Sequence, residues 1–392
     1  MKQNNNVFSN SLIWLGAGIS IAEIITGTLF APLGFAKGVC AILLGHFIGF
    51  VLFFVMAYMG ASSNKSSMEI SKISFGVWGS KFFAILNIVQ LVGWTGIMIF
   101  DGAVAANEIY NLGNVFWCVI ISLLIVIWLA LGIKNITKLN CFTMFTLVGL
   151  TIVFLILILK NRNNFSAITL NSEYLSFGAA LELAIAMPLS WLPLVSDYTK
   201  DSSKPFTVSF ASSLSYGISS TWMYIIGLVI SIYTQDSNIA RIIIKLGLGV
   251  LGLLIVIFST VTTTFLDAFS AGVSSKTVLN FFNEKYFAIV VTVIACFAAI
   301  FIDLSNITNF LYFIGSVFAP MIAILISDYY VTKKNSSDNK INIFRFVVWL
   351  IGFVFYRFLM KFDFIIGYTL PTILVCFIIP IVLSYFHNKK RL

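Results

Sequence analysis

Residues 82–110, FFAILNIVQLVGWTGIMIFDGAVAANEIY, decide the fold. As a helix this stretch would run about 43 Å at ~1.5 Å per residue, longer than a bilayer core of about 30 Å. It is too long and too apolar for the core of a soluble domain, so it reads as a tilted membrane span. Near its centre stands Asp101. A carboxylate at mid-bilayer costs roughly 3 kcal/mol on permissive insertion scales, so it is expected to face a protein interior, a water-filled cavity or a substrate path. Glu23, Glu182 and Asp267 lie in similarly apolar surroundings, and function is sought around these four carboxylates.

Outward from that stretch the same pattern repeats. The chain has 392 residues, 59% of them hydrophobic and 10% charged. Apolar runs between polar punctuation give about twelve spans by the rule of length: 11–33, 38–59, 82–110, 114–133, 141–159, 176–195, 207–232, 246–272, 287–302, 306–327, 343–360 and 366–386. The third, eighth and tenth are read as long spans and are expected to tilt. The reading is an all-α polytopic membrane protein forming a single membrane domain over residues 1–392, with the polar connections 60–80, 160–175, 197–206, 233–245 and 330–342 between spans.

A formal charge of +9 could point to nucleic acid, but the basic residues fall in alternate loops rather than one patch, which is a topological signal. With the N-terminus cytoplasmic, Lys65, Lys72, Lys134, Lys138, Lys200, Lys276, Lys333, Lys334, Lys340 and Arg345 all lie inside. An even number of spans then returns the C-terminus to the cytoplasm, where Lys389-Lys390-Arg391 anchors to anionic lipid. The first apolar run carries Glu23 and shows no clear cleavage site, so it reads as the first helix and not as a signal peptide. The expected location is the plasma (inner) membrane, with lipid and no nucleic acid as surroundings. Cys40, Cys118, Cys141, Cys296 and Cys376 are odd in number and scattered, and read as small buried hydrophobes.

The first ten spans divide into two sets of five, 11–159 and 176–327, followed by two further helices, 343–386. An odd number per set inserts the second upside down relative to the first, a common plan for carriers. The first helix of each set is expected to break. Gly16, Gly18, Gly27, Pro32 and Gly34 punctuate one, and Pro188 and Pro193 remove backbone donors from the other. Such breaks point at a binding site.

Four groups of residues carry candidate chemistry. Trp94, Met98 and Asp101 follow i, i+4, i+7 spacing, so an aromatic face, a thioether and a carboxylate share a helical stripe suited to a flat polar ring. The competing reading of Trp94 and Met98 is interhelical packing. Thr260, Thr263 and Asp267 share a face of the eighth span, where hydroxyl and carboxylate oxygens suit a small cation or a ring donor; membrane-helix hydroxyls also bond their own backbone. Glu23 shares a face with Gly16, Ser20 and Gly27 and would accept from a ring amino group, carry a coupling proton, or pair internally. Glu182 is expected near the outer interface in a structural role.

Enzyme signals are weak. Gly247–Gly252 matches G-x-G-x-x-G literally but lies in an apolar span with no strand before it, so helix packing explains it. There is no P-loop and no HExxH, and His46 and His387 are the only histidines. A receptor or membrane-embedded enzyme would need a signalling domain or a reaction centre, and neither is visible. No cofactor is called for.

Trp14-Leu15-Gly16-Ala17-Gly18-Ile19-Ser20-Ile21-Ala22-Glu23, Gly93-Trp94-Thr95-Gly96, Ser196-Asp197-Tyr198-Thr199-Lys200 and Ser327-Asp328-Tyr329-Tyr330-Val331 together resemble the first class of nucleobase and cation symporters. Met187–Leu194 and Thr262–Ala268 are most similar to the CytX branch, whose implied substrate is hydroxymethylpyrimidine, a thiamin precursor. The resemblance implies a five-plus-five inverted repeat like that of the leucine transporter plus two helices, with a ring stacked between tryptophans of the third and sixth helices. Trp94 matches the first of these; the position of the second falls near Pro188, with Trp191 displaced by about one turn. Met98 stands where hydantoin carriers have a glutamine, and Asp267 where they have an asparagine. An ionised Asp267 is an acceptor only, which suits an exocyclic amine. A family-type sodium site would use carbonyls near Gly16 and Ile19 with hydroxyls of Thr262 and Thr263, although Val261 stands where a serine is expected. The expectation is therefore a secondary symporter of a small aminopyrimidine, coupled to Na+ or H+, with Trp94, Met98, Asp101, Trp191, Pro188, Asp267, Glu23, Ser20 and Thr263 about the substrate. The alternative is a permease for cytosine, another nucleobase or a small amine.

Overall fold

The computed structural model describes residues 7–131, 175–234, 249–279 and 283–389, with scattered residues of 145–160 and 241–244. Its regular structure among these residues is helical. Eight helical segments there are long and apolar enough to cross a membrane: Ile21–Ser63, Ser67–Ile109, Asn114–Leu131, Pro205–Tyr233, Gly249–Val278, Glu284–Phe301, Ile307–Thr332 and Thr369–Phe386. The chain is a multi-pass membrane protein. Parts of the expected fifth span, nearly all of the 160–175 connection, and Cys141, Lys134 and Lys138 lie outside the described residues.

The first span is two short helices, α1 (Val7–Gly18) and α2 (Ile21–Thr28). Ser20 separates them in an extended conformation, and its hydroxyl accepts the Glu23 backbone N–H at 3.3 Å, capping α2. Helix α3 (Gly34–Ser63) returns through the membrane. The chain then turns within three residues into α4 (Ser67–Ile109), opened by a capping box between Ser66 and Glu69. The expected polar connection 60–80 is thus largely helical.

Helix α4 breaks at Gly76, whose φ of 73° lies in the left-handed region that favours glycine. The break strands the N–H groups of Val77 and Trp78, and the polar segment 333–342 supplies their acceptors. Val77 donates to the Asn339 carbonyl at 3.0 Å and Trp78 to that of Lys340 at 2.8 Å. The segment is therefore a docked cap on α4 rather than a free linker.

After α5 (Asn114–Leu131), helix α6 (Phe177–Trp191) ends in turns that lead to the single turn α7 (Val195–Thr199). The second expected break is therefore present, at 192–194. Helices α8 (Pro205–Thr234), α9 (Gly249–Val278), α10 (Glu284–Phe301) and α11 (Ile307–Ile326) follow, the last running into a π-helical turn at Ser327–Thr332. Helices α12 (Ile343–Leu359) and α13 (Thr369–Lys389) complete the chain. Helices α3 and α8 match α9 at 30 residues each, whereas α11 has only 20, so unusual length does not single out the tenth span.

Two sets of helices organise the interior. Helices α1, α2, α3 and α8 pack together, with α6 and α7 against α3, while α4, α5, α9 and α10 form a second group. Close approach depends on missing side chains. A Cβ on Gly27 would stand 2.3 Å from the Tyr224 carbonyl oxygen, so α2 and α8 meet backbone to backbone.

Candidate functional site

The site is built where the two broken helices meet α4 and α9. Helices α4 and α9 pack antiparallel along their length, and two contacts fix their register. A Cβ on Gly102 would stand 2.9 Å from Thr260 Oγ1, and Asn87 Nδ2 donates to Ser274 Oγ at 2.9 Å. Between these contacts the register sets Trp94 opposite Asp267, with one helical stripe on each partner carrying the contacts.

Both breaks are tied to this segment. Thr263 Oγ1 lies 3.4 Å from the Gly16 carbonyl, which holds the α1–α2 break one turn from Asp267. Gln90 Nε2 donates to the Ser190 carbonyl at 2.7 Å, and Asn87 Nδ2 also reaches the Pro193 carbonyl at 3.3 Å. These bonds hold the α6–α7 break one turn from Trp94. They also take up carbonyls freed where the helix unwinds, as a break inside a membrane requires.

Trp94 is buried and packs edge-on against Phe310 of α11, ring centroids 5.3 Å apart. Trp191 is buried on the other side of the break, edge-on to Trp14 at 5.4 Å and to Tyr216 at 6.0 Å. No ring contact joins Trp94 to Trp191 among the described residues; the first is backed by α11 and the second by α1 and α8. Met98 is buried one turn beyond Trp94, and Asp101 on the same stripe is partly exposed.

The four carboxylates part company here. Asp267 is buried, and among the described residues no donor reaches it; Asp101 likewise has no partner. Glu23, in contrast, is turned away from α4 and α9. Its Oε1 accepts from Tyr216 Oη at 2.9 Å and its Oε2 from Ser220 Oγ at 2.8 Å, both on α8. The expectation that Glu23 reads the substrate edge is therefore replaced by a contact inside the α2–α8 pair, because the glycine face of α2 packs there. Ser20 is taken up in capping α2.

Glu182 is fully buried rather than interfacial, and its role is structural. It accepts from Tyr356 Oη at 2.6 Å, Tyr368 N at 2.7 Å, Thr369 N at 2.8 Å and Thr369 Oγ1 at 2.6 Å, fastening α6 to the α12–α13 turn. Pro188 also leaves the expected site. Its ring fills the space above Gly49 of α3, where a glycine Cβ would stand 2.2 Å from Pro188 Cγ.

Of the expected cation ligands, Gly16 and Thr263 meet. Thr262 Oγ1 is turned back on its own helix, donating to Phe258 at 2.7 Å, and Val261 offers no oxygen. Hard cations require several converging oxygens, and the structure assembles only part of the expected set. Among the described residues no group of three His, Cys, Asp or Glu side chains is placed to hold a metal.

Sequence reading missed three features. Gln90 and Asn87 brace the α6–α7 break, a task that two amides one and two turns below Trp94 on the same stripe signal in retrospect. Asp328 and Arg345 form a buried bidentate pair, Nε to Oδ2 at 2.9 Å and Nη2 to Oδ1 at 2.6 Å, so Arg345 is not a solvated topological charge. Cys40 is exposed on α3 rather than buried. A cavity of about 690 Å³ lies elsewhere, between α1, α3, α8 and the side chains of Val148 and Ile152, with Leu15, Ile19, His46, Phe50 and Trp222 in its walls. Its lining is overwhelmingly apolar and offers few groups to a hydroxylated ring.

Comparison with known proteins places this architecture. Residues 2–345 match the family model described as permease for cytosine/purines, uracil, thiamine, allantoin. The cytosine permease of Escherichia coli is 20% identical over 331 residues, covering 84% of this chain and 78% of the relative. A vitamin B6 transporter of Saccharomyces cerevisiae is 23% identical over 203 residues, 47% of this chain and 34% of the relative. Among solved structures, Mhp1, a nucleobase-cation-symport-1 family transporter in a closed conformation with bromovinylhydantoin bound, superposes with a TM-score of 0.83 at 17% identity, covering 98% of this chain and 93% of that one. A Na+-coupled sialic acid symporter in a substrate-bound outward-open state gives 0.73 at 13% identity, over 97% and 89%. The fold is that of these transporters.

Proposed function

Because this chain belongs to the family of permeases for cytosine, purines, uracil, thiamine and allantoin, we propose that it is a secondary symporter importing a small aminopyrimidine, hydroxymethylpyrimidine first among them, by cation-coupled alternating access. The observation that carries the reading is Asp267, a buried carboxylate that no donor among the described residues reaches, set opposite Trp94 where both helix breaks converge. A buried carboxylate left unpaired is costly, and a ligand donor relieves that cost. An exocyclic amine supplies the donor, and the ring nitrogen beside it accepts when the carboxyl is protonated. Trp94 stacks the ring, Met98 lines its path, Trp191 closes from the α6 side, and Asp101 and Thr263 border the site. One helix bundle rocks against the other about it, in a plasma membrane with both termini cytoplasmic.

Cytosine is the second reading, favoured by the similarity to cytosine permease. Both molecules present an amine beside a ring nitrogen; they differ at ring position 2, a methyl group in hydroxymethylpyrimidine and a carbonyl in cytosine, and at position 5, where only the former carries a hydroxymethyl group. Uptake of labelled hydroxymethylpyrimidine into proteoliposomes, with sodium and proton gradients imposed separately and cytosine as competitor, separates them. Accumulation resistant to cytosine supports the first reading; transport of cytosine alone replaces it.

A further inference from the structure

Three side chains from three helices form a chain that the proposed substrate site does not use. Glu23 of α2 is bonded to Ser220 Oγ of α8 at 2.8 Å, and Ser220 Oγ to His46 Nε2 of α3 at 2.7 Å. His46 Nδ1 lies 2.9 Å from the Ile42 carbonyl. All three side chains are buried.

Counting hydrogens fixes the load of this chain. The Ile42 carbonyl only accepts, so Nδ1 carries a hydrogen. Each of the two contacts at Ser220 Oγ also needs one, and the serine hydroxyl supplies a single hydrogen. The second must come from a neutral Glu23 carboxyl or from a His46 imidazolium. Either way the set holds one proton more than a carboxylate beside a neutral imidazole would hold. The two forms interconvert without net change: Glu23 gives its proton to Ser220 Oγ while the serine proton passes to His46 Nε2, leaving carboxylate and imidazolium. Tyr216 donates to Glu23 Oε1 in both forms.

We propose that Glu23, Ser220 and His46 bind one proton between them, and that loading and unloading of this site is the proton coupling of transport. The second clause rests on the transport reading above. When the proton leaves, one of the two Ser220 contacts loses its hydrogen and two buried acceptors face each other, which is unfavourable. That penalty falls on the joint between α2, α8 and α3. Helix α2 begins at the break beside Thr263 and Asp267, so unloading loosens an element that borders the proposed substrate site.

Among the described residues, two tyrosines face the chain, and Glu69 of α4, Glu182 of α6 and Asp197 of α7 are engaged elsewhere. From α8, Tyr216 and Tyr224 face it, the latter with its ring 4.7 Å from that of His46. On α6, Glu182 is bound to the α12–α13 turn; on α7, Asp197 accepts from Ser67 N; on α4, Glu69 is held by Ser66. Asp267 lies on α9 beyond Thr263, and Lys37 near the start of α3, more than two turns from His46.

The test has two readouts on purified full-length protein. Infrared difference spectra across a pH titration, without substrate, are compared for wild type, Glu23→Gln and His46→Gln. The expected result is one protonation step that disappears in both variants, because the two groups share the proton. A Glu23 band that titrates unchanged in His46→Gln overturns the proposal, and this arm remains decisive if Glu23→Gln does not fold. In proteoliposomes, Ser220→Ala is expected to lose at least about tenfold in proton-driven accumulation of hydroxymethylpyrimidine or cytosine, equivalent to ~1.4 kcal/mol, while equilibrium exchange of the same compound persists. Proton-driven accumulation at wild-type level in Ser220→Ala, or accumulation driven by sodium alone, overturns the coupling role. Should neither compound be carried while the shared protonation step is present, the transport reading fails and the proton site stands.

Discussion

Replacing Glu182 tests whether the interior carboxylates divide into structural and ligand-directed groups. Its two oxygens collect four donors, two of which are the backbone N–H groups of Tyr368 and Thr369. In Glu182→Ala the hydroxyls of Tyr356 and Thr369 can rotate toward other acceptors, but the two N–H groups cannot. Each orphaned group costs about 1–3 kcal/mol, so the loss is about 2–6 kcal/mol. Glu182→Gln keeps an oxygen for both N–H groups and loses only charge assistance, about 1 kcal/mol per bond and ~2 kcal/mol in all. The same change at Asp267, Asp267→Asn, removes no protein bond and is expected to leave stability unchanged while abolishing substrate binding. The assay is reversible unfolding of purified protein in mixed micelles, alongside binding of labelled hydroxymethylpyrimidine and cytosine. Equal stability of Glu182→Ala and wild type would refute the reasoning, as would equal losses in the alanine and glutamine variants, since either outcome means the N–H groups have another acceptor.

The Asp328–Arg345 pair gives a double-mutant test. Arg345→Met alone is expected to cost about 3–5 kcal/mol by stranding a buried carboxylate, while Asp328→Leu combined with Arg345→Met recovers most of it, both read as unfolding free energy. Trp94→Ala should weaken substrate binding by roughly 5–150-fold, from ~1–3 kcal/mol of base stacking, with Trp94→Phe retaining much of it; equilibrium binding measures both. Gly76→Ala forces a Cβ into the left-handed region, 2.7 Å from the Asn339 carbonyl oxygen. It is expected to cost about 1–3 kcal/mol in thermal and denaturant stability and to raise protease sensitivity of the 333–342 segment.

Much of the architecture is legible in the chain because its signals are local. Twenty-residue apolar runs are set by bilayer thickness, and the broken helices by glycine and proline at 16–34 and 188–193. Trp94, Met98 and Asp101 stand out because an aromatic ring, a thioether and a charge on one stripe of a membrane helix are rare enough to draw attention from sequence alone. Helical spacing also tells that Gly27 shares a face with Glu23, whereas the extended Ser20 takes Gly16 off that helix.

What spacing cannot tell is which neighbour that face meets. In a soluble helix the polar side marks the solvent and so orients the rest. Here the helices are apolar on most sides, and lipid and protein interior look alike in composition. Only tertiary packing turned Glu23 toward Tyr216 and Ser220, laid Pro188 on Gly49, gave Glu182 the backbone of a turn far along the chain, and paired Arg345 with Asp328. The sequence by itself determined that four carboxylates lie in the membrane. The structure decided which are paired, because partners came from segments as distant as 193 residues for Glu23 with Tyr216 and 187 for Glu182 with Thr369, and local spacing carries no record of contacts so remote.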